Sequence, residues 1–235
     1  NRRSRGLGDV YKRQTLYSGL QQLNDEQRNI STVEDPIEIQ LDGINQISVN
    51  DKIGLNFSNV LRALVRQDPD VIMVGEIRDI ETATAAVRAA QTGHLVLSTL
   101  HSSCAGTALT RLQHLGIKLY DLTSTVSLIL AQRLARRLCD HCKRPSSSKI
   151  TTPPTFQANP TGCSKCSRGH QGRIGIFELL SMDDPIMQAS HSTENYRNGL
   201  KSCHQLPVSG LRTDALAKVA AGVISLEEAD RISPR

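Results

Sequence analysis

Tryptophan is missing from the 235 residues, and all aromatic residues together make up 3% of them. Proteins that hold single-stranded nucleic acid stack bases on aromatic rings, so this scarcity speaks against that class. No run of eighteen apolar residues exists, and no apolar signal-peptide core follows the basic amino terminus, so nothing here reads as membrane-spanning or exported. The expected compartment is cytoplasmic. A basic stripe is missing too: much of the net charge of +5 comes from Arg2, Arg3, Arg5, Lys12 and Arg13, and no patterned Lys/Arg run follows them. A nucleic-acid partner is therefore not expected. No internal repeat is visible.

What the chain does contain is a series of short apolar runs that end in charge. Asp70-Val71-Ile72-Met73-Val74-Gly75-Glu76-Ile77-Arg78-Asp79 reads as a strand buried on both faces that delivers Glu76 and Arg78 to the carboxyl edge of a sheet. Open α/β folds bind ligands at that edge. A strand over 28–33 stops at Glu34-Asp35-Pro36, and a buried strand over 95–99 is bracketed by His94 and His101. Apolar residues at helical spacing predict helices over 15–27, 57–66, 80–92, 105–115 and 120–134. Alternating strands and helices with short connections predict a doubly wound, mostly parallel sheet over 15–135.

Composition changes at Arg136. The stretch 143–162 is rich in Pro, Ser and Thr and reads as a solvated loop, flanked by Cys139-x-x-Cys142 and Cys163-x-x-Cys166 with 20 residues between the pairs. Two such knuckles match a closed four-thiolate zinc site, so 136–182 is expected to be a zinc module. A strand over 172–180 and short helices over 184–191, 209–221 and 225–232 should follow, the last part of the chain, 183–235, forming a helical subdomain. In the first part, three strand ends converging on one sheet edge would supply carboxylates for hydrated magnesium and for a water, with an imidazole and a guanidinium for phosphate oxygens. Those are the parts needed for nucleotide hydrolysis.

These blocks resemble a known family. ISTVEDPIE resembles its Asp box, RQDPDVIMVGEIRD its Walker B motif, and TGHLVLSTLH its His box. LAQRL with the paired cysteines is similar to the carboxyl-terminal part of the secretion ATPases, the hexameric motors of type II secretion and type IV pilus assembly. The resemblance implies an α/β, RecA-like P-loop NTPase core using ATP and Mg2+, with Zn2+ in the cysteine module. It also implies a homo-hexamer acting on an inner-membrane platform protein, held peripherally at the cytoplasmic face of the bacterial inner membrane. On the same ground Glu34 would be the general base, Glu76 the acid supporting magnesium and His101 a γ-phosphate sensor. Asp35, Glu38, Arg78 and His94 would line the site or its subunit interface, and Arg133 would lie near the ring interface.

One element departs from the family pattern. With Leu16-Tyr17 fixing the register, Gly6 and Lys12 fall on the first glycine and the lysine of G-x-x-x-x-G-K-[ST]. Tyr11, however, stands at the second glycine and Arg13 at the magnesium-binding Ser/Thr. A phenol obstructs the wrapping of backbone N–H groups around phosphate, and a guanidinium cannot ligate magnesium. Residues 1–14 are therefore expected to be foreign to the rest, leaving a fragment of a secretion ATPase without an intact phosphate loop. The alternatives are a non-catalytic assembly subunit and, more remotely, a zinc-ribbon nucleic-acid binder.

Overall fold

The computed structural model describes residues 2–102, 104–146, 155–181 and 210–233, with side chains from residue 11 onward. The helix expected over 184–191 lies outside the described residues. The chain divides into two units, one of residues 1–102 and 108–127, the other of 103–107 and 128–235, ahead of the boundary expected at 135.

In the first unit four parallel strands, β1 (Ile30–Glu34), β2 (Asn45–Ser48), β3 (Val71–Val74) and β4 (Leu95–Ser98), form a sheet in the order β2-β1-β3-β4. Every residue of β1 and β3 is buried, as happens to central strands covered on both faces. β4, expected to be buried, is the outer strand, and its Leu95 is exposed. Helix α1 (Arg2–Leu23) runs unbroken through the segment expected to be foreign and lays Tyr17 and Leu20 against Ile30, Val71 and Met73. Helix α2 (Phe57–Leu64) buries Val60, Leu61 and Leu64 and is capped by Asn56, whose side chain accepts from Asn59 N–H at 2.8 Å. Helix α3 (Ile80–Gln91) starts at Asp79, which accepts from Thr82 N–H at 2.7 Å, and turns off at Gly93 with φ +98°. Helices α4 (Ala105–His114) and α5 (Leu119–Thr125) follow.

The helix expected over 120–134 is a correction: α5 ends at Thr125, and strand β5 (Leu128–Leu138) takes over. Leu and Ala recur in LILAQRLARRL at a spacing that suits either period. Long-range pairing decides between them, since β5 binds antiparallel to a strand about forty residues later. Two β-branched residues, Thr125 and Val126, stand at the break, and Val126 is already extended.

In the second unit the pairs β6 (Arg144–Pro145) and β7 (Phe156–Gln157) join the two ends of the Pro/Ser/Thr-rich stretch, and β8 (His170–Ser181) pairs with β5. Helices α6 (Leu211–Ala220) and α7 (Leu226–Ile232) enclose a core of Ala135, Ile176, Leu211, Ala215, Val219, Ile224 and Ala229. Glu178 on β8 is buried, and its Oε2 accepts the Ala105 N–H at 3.0 Å at the start of α4.

Candidate functional site

Because β1, β3 and β4 are parallel, their carboxyl ends share one edge, and the register sets Val33 beside Val74 and Val74 beside Ser98. The chain beyond each strand is stitched to its neighbour. Val49 N–H donates to Glu34 O at 2.8 Å, Gly75 N–H to Val33 O at 2.8 Å, Thr99 Oγ1 to Gly75 O at 2.6 Å and Ile77 N–H to Thr99 O at 3.1 Å. Gly75 leaves the room that this closeness uses. A Cβ there would stand 3.3 Å from Val33 O and 3.4 Å from Glu34 Cα.

The pocket at this edge is lined by Arg13, Glu34, Asp35, Phe57, Gly75, Glu76, Arg78, Thr99 and His101. Glu76 is its electrostatic centre. Arg78 pairs with Oε1, His101 Nε2 lies 3.3 Å from Oε2, and Arg78 Nη1 also stands 3.7 Å from Asp35 Oδ2. Glu76 thus pairs with the arginine two residues on through one oxygen, and His101 takes the other.

Glu34 is fully buried. Thr32 Oγ1 at 2.7 Å and Gln46 Nε2 at 3.0 Å both donate to its Oε1, and the Tyr17 hydroxyl donates to Oε2. Burial, then the bond to Glu34, pushes the Tyr17 phenol up to about 12. Tyr17 also accepts the Glu38 N–H at 3.2 Å. These partners were not foreseen as site residues. Thr32 carried a signal, because strand residues two apart share a face, whereas Tyr17 and Gln46 reach Glu34 only through the tertiary fold.

The second cluster is Cys139, Cys142, Cys163 and Cys166, whose sulfurs all lie within 4.8 Å of one another. The separations are 3.7 Å for 139–163 and 3.6 Å for both 142–166 and 163–166. A tetrahedral zinc with sulfur ligands at 2.3 Å has sulfur–sulfur edges of about 3.8 Å, so the donor set and its spacing fit that ion. Burial opposes ionisation of the Cys166 thiol, but N–H donation from the backbone at Cys163 and bonds to its neighbours outweigh it and hold the group at about 7.

Against known proteins, the family model described as "Type II/IV secretion system protein" matches residues 10–231. The chain belongs to this family. Among curated members of the secretion family, the type IV pilus assembly ATPase PilB of Acinetobacter baylyi is 45% identical over 232 residues, covering 93% of this chain and 40% of PilB. The type II secretion system ATPase E of Vibrio cholerae is 46% identical over 232 residues, covering 94% and 46%. The chain thus spans less than half the length of these relatives. Among solved structures it resembles the pilus retraction motor PilT with bound ADP, with TM-score 0.69, 28% identity, and coverage of 94% of this chain and 57% of PilT. It also resembles the Legionella pneumophila ATPase DotB, with TM-score 0.60, 26% identity and coverage of 88% and 52%.

The remaining residues singled out in the family's terms do not all reach the pocket. Glu38 sits beside it, its Oε1 bound 2.7 Å from Arg13 Nη1, while Lys12 is not among the lining residues and its neighbour Arg13 is. His94 does not line the pocket. It precedes β4 at the opposite edge of the sheet, with Nδ1 2.9 Å from Ala89 O and 3.1 Å from Thr92 Oγ1, and so finishes the carboxyl end of α3. Arg133 is exposed on β5 in the second unit, in register with Ile176.

Proposed function

We propose that this chain carries the ATP-hydrolysing, RecA-like P-loop core of a secretion motor, coupling hydrolysis to type II protein secretion or type IV pilus assembly. The observation that carries the reading is the meeting of Glu34, Asp35, Glu76, Arg78 and His101 in one pocket at the carboxyl edge of a parallel sheet. The ADP named with PilT supports a nucleotide as the occupant. Glu76 and Asp35 are the carboxylates that would hold hydrated magnesium, with Lys12 at the lysine position of the phosphate loop. Magnesium held there would supply positive charge to offset that of the phosphates. Glu34 acts as base toward water, His101 contacts the terminal phosphate, and Arg78 keeps Glu76 and Asp35 oriented between turnovers.

In this reading the protein works as a homo-hexamer, with Arg133 near the ring interface, on a platform protein at the cytoplasmic face of the inner membrane. Among the described residues no helix is long and apolar enough to cross a membrane. In the proposed reading the membrane association runs through partners. The four cysteines hold a structural Zn2+ that fastens the end of β5 to the start of β8.

A second reading, a non-catalytic assembly subunit, is favoured by one observation. At the phosphate-loop register Tyr11 and Arg13 replace the required residues, and Arg13 reaches Glu38 Oε1 and the Pro36 carbonyl from within the helix. Magnesium-dependent ATP hydrolysis separates the two. Tyr11→Gly/Arg13→Thr restores G-x-x-x-x-G-K-T at residues 6–13. Hydrolysis by that protein, abolished by Glu76→Gln, supports the motor; no hydrolysis with the loop restored supports the assembly subunit.

A further inference from the structure

The two oxygens of Glu34 keep unequal company. Oε1 accepts from Thr32 Oγ1 at 2.7 Å and Gln46 Nε2 at 3.0 Å, which fills both of its lone-pair positions. Oε2 receives the Tyr17 hydroxyl, which leaves it one position. The direction of that bond is forced. Glu38 N–H already donates to the Tyr17 oxygen at 3.2 Å, so the phenolic proton must point at Glu34. The ring cannot swing away, since it is buried against Leu20, Ile30, Val71 and Met73.

We propose that Tyr17 is a positioning residue of the hydrolytic step. Its proton, aimed by the Glu38 N–H, occupies one lone pair of Glu34 Oε2 and turns the other toward the pocket, where it receives a proton from water. The inference rests on the reading of the pocket as a site of nucleotide hydrolysis. In that step the water oxygen bonds to the terminal phosphorus. The bond from phosphorus to the bridging oxygen breaks, its electron pair leaving on the diphosphate, and the water proton passes to Oε2.

The test is the kcat and KM of magnesium-dependent ATP hydrolysis by the full chain, unaltered and with Tyr11→Gly/Arg13→Thr, each with and without Tyr17→Phe. Phenylalanine keeps the ring and deletes the proton. The expected result is a kcat lowered by about tenfold with KM within about twofold. A 3-fluorotyrosine at position 17, a stronger donor of nearly the same shape, should change kcat while leaving KM within about twofold, and serves if Tyr17→Phe does not fold. Active parents whose kcat changes with neither substitution overturn the role of Tyr17 and leave the site reading standing. Absence of hydrolysis in both parents overturns the two together.

Discussion

Arg136 holds Glu228 twice over: its backbone N–H donates to Oε1 at 2.7 Å, and its guanidinium donates to Oε2 at 2.8 and 3.0 Å. Arg231 adds bonds of 2.7 and 3.0 Å from the other side, and Ser225 caps the helix beneath by accepting the Glu228 N–H at 3.2 Å. One buried carboxylate thereby ties β5 to α7.

Burial alone would raise the pKa of Glu228, but Arg231, Arg136 and the N–H outweigh it and bring the group down to about 2. A depressed carboxylate stabilises the fold above its unfolded pKa of 4.5 and ceases to do so as pH falls through about 2. Glu228→Gln should lower stability by about 2–3 kcal/mol near pH 7. The gap between the two proteins in urea unfolding should close between about pH 4.5 and 2; a gap that persists at pH 2 would refute the assignment.

Gly75→Ala tests the close approach of β3 to β1. The new methyl meets the Val33 carbonyl at 3.3 Å and the Glu34 backbone at 3.4 Å, both of them main chain and unable to turn aside. A loss of about 1–3 kcal/mol in denaturant unfolding is expected, accompanied by weaker binding of a magnesium–nucleotide complex. Unchanged stability would mean that the strand ends give way easily.

Metal content tests the cysteine cluster. The protein should purify with about one zinc per chain, measured by plasma mass spectrometry. Cys163→Ser should lower that content, and chelation should lower the melting temperature of the intact chain while leaving that of Cys163→Ser nearly unchanged.

The phenol of Tyr17 offers a spectroscopic check. One of the four tyrosines should ionise near pH 12 rather than 10, followed by absorbance at 295 nm. A raised pKa of this kind contributes stability below pH 10 that is lost as pH rises through about 12. Glu34→Gln removes the carboxylate and should bring that titration down in part, since burial, the larger cause, stays; a titration left at 12 would assign the shift to burial alone.

The sequence made the sheet edge readable because central parallel strands announce themselves as unbroken apolar runs, and whatever follows such a run lands on one edge. That is how the chain alone points to Glu34, Glu76, Arg78 and His101 as neighbours. The same logic does not carry His94 to that edge, because a residue before a strand and one after it stand at opposite edges. β5 carries a helical expectation in the sequence because its periodicity is ambiguous and its partner β8 is remote. Tyr17 was legible as a register mark and as part of a helix, but not as the partner of Glu34, since that contact joins residues 17 positions apart on different elements.

The bonds that continue the sheet past its strands, from Val49 through Glu34, Val33, Gly75 and Thr99 to Ile77, join the segments that bear Glu34, Glu76 and His101 to one another. Those three side chains share one plate. Under the function proposed above, whatever the pocket's occupant does to one of these segments is passed to the others through that plate.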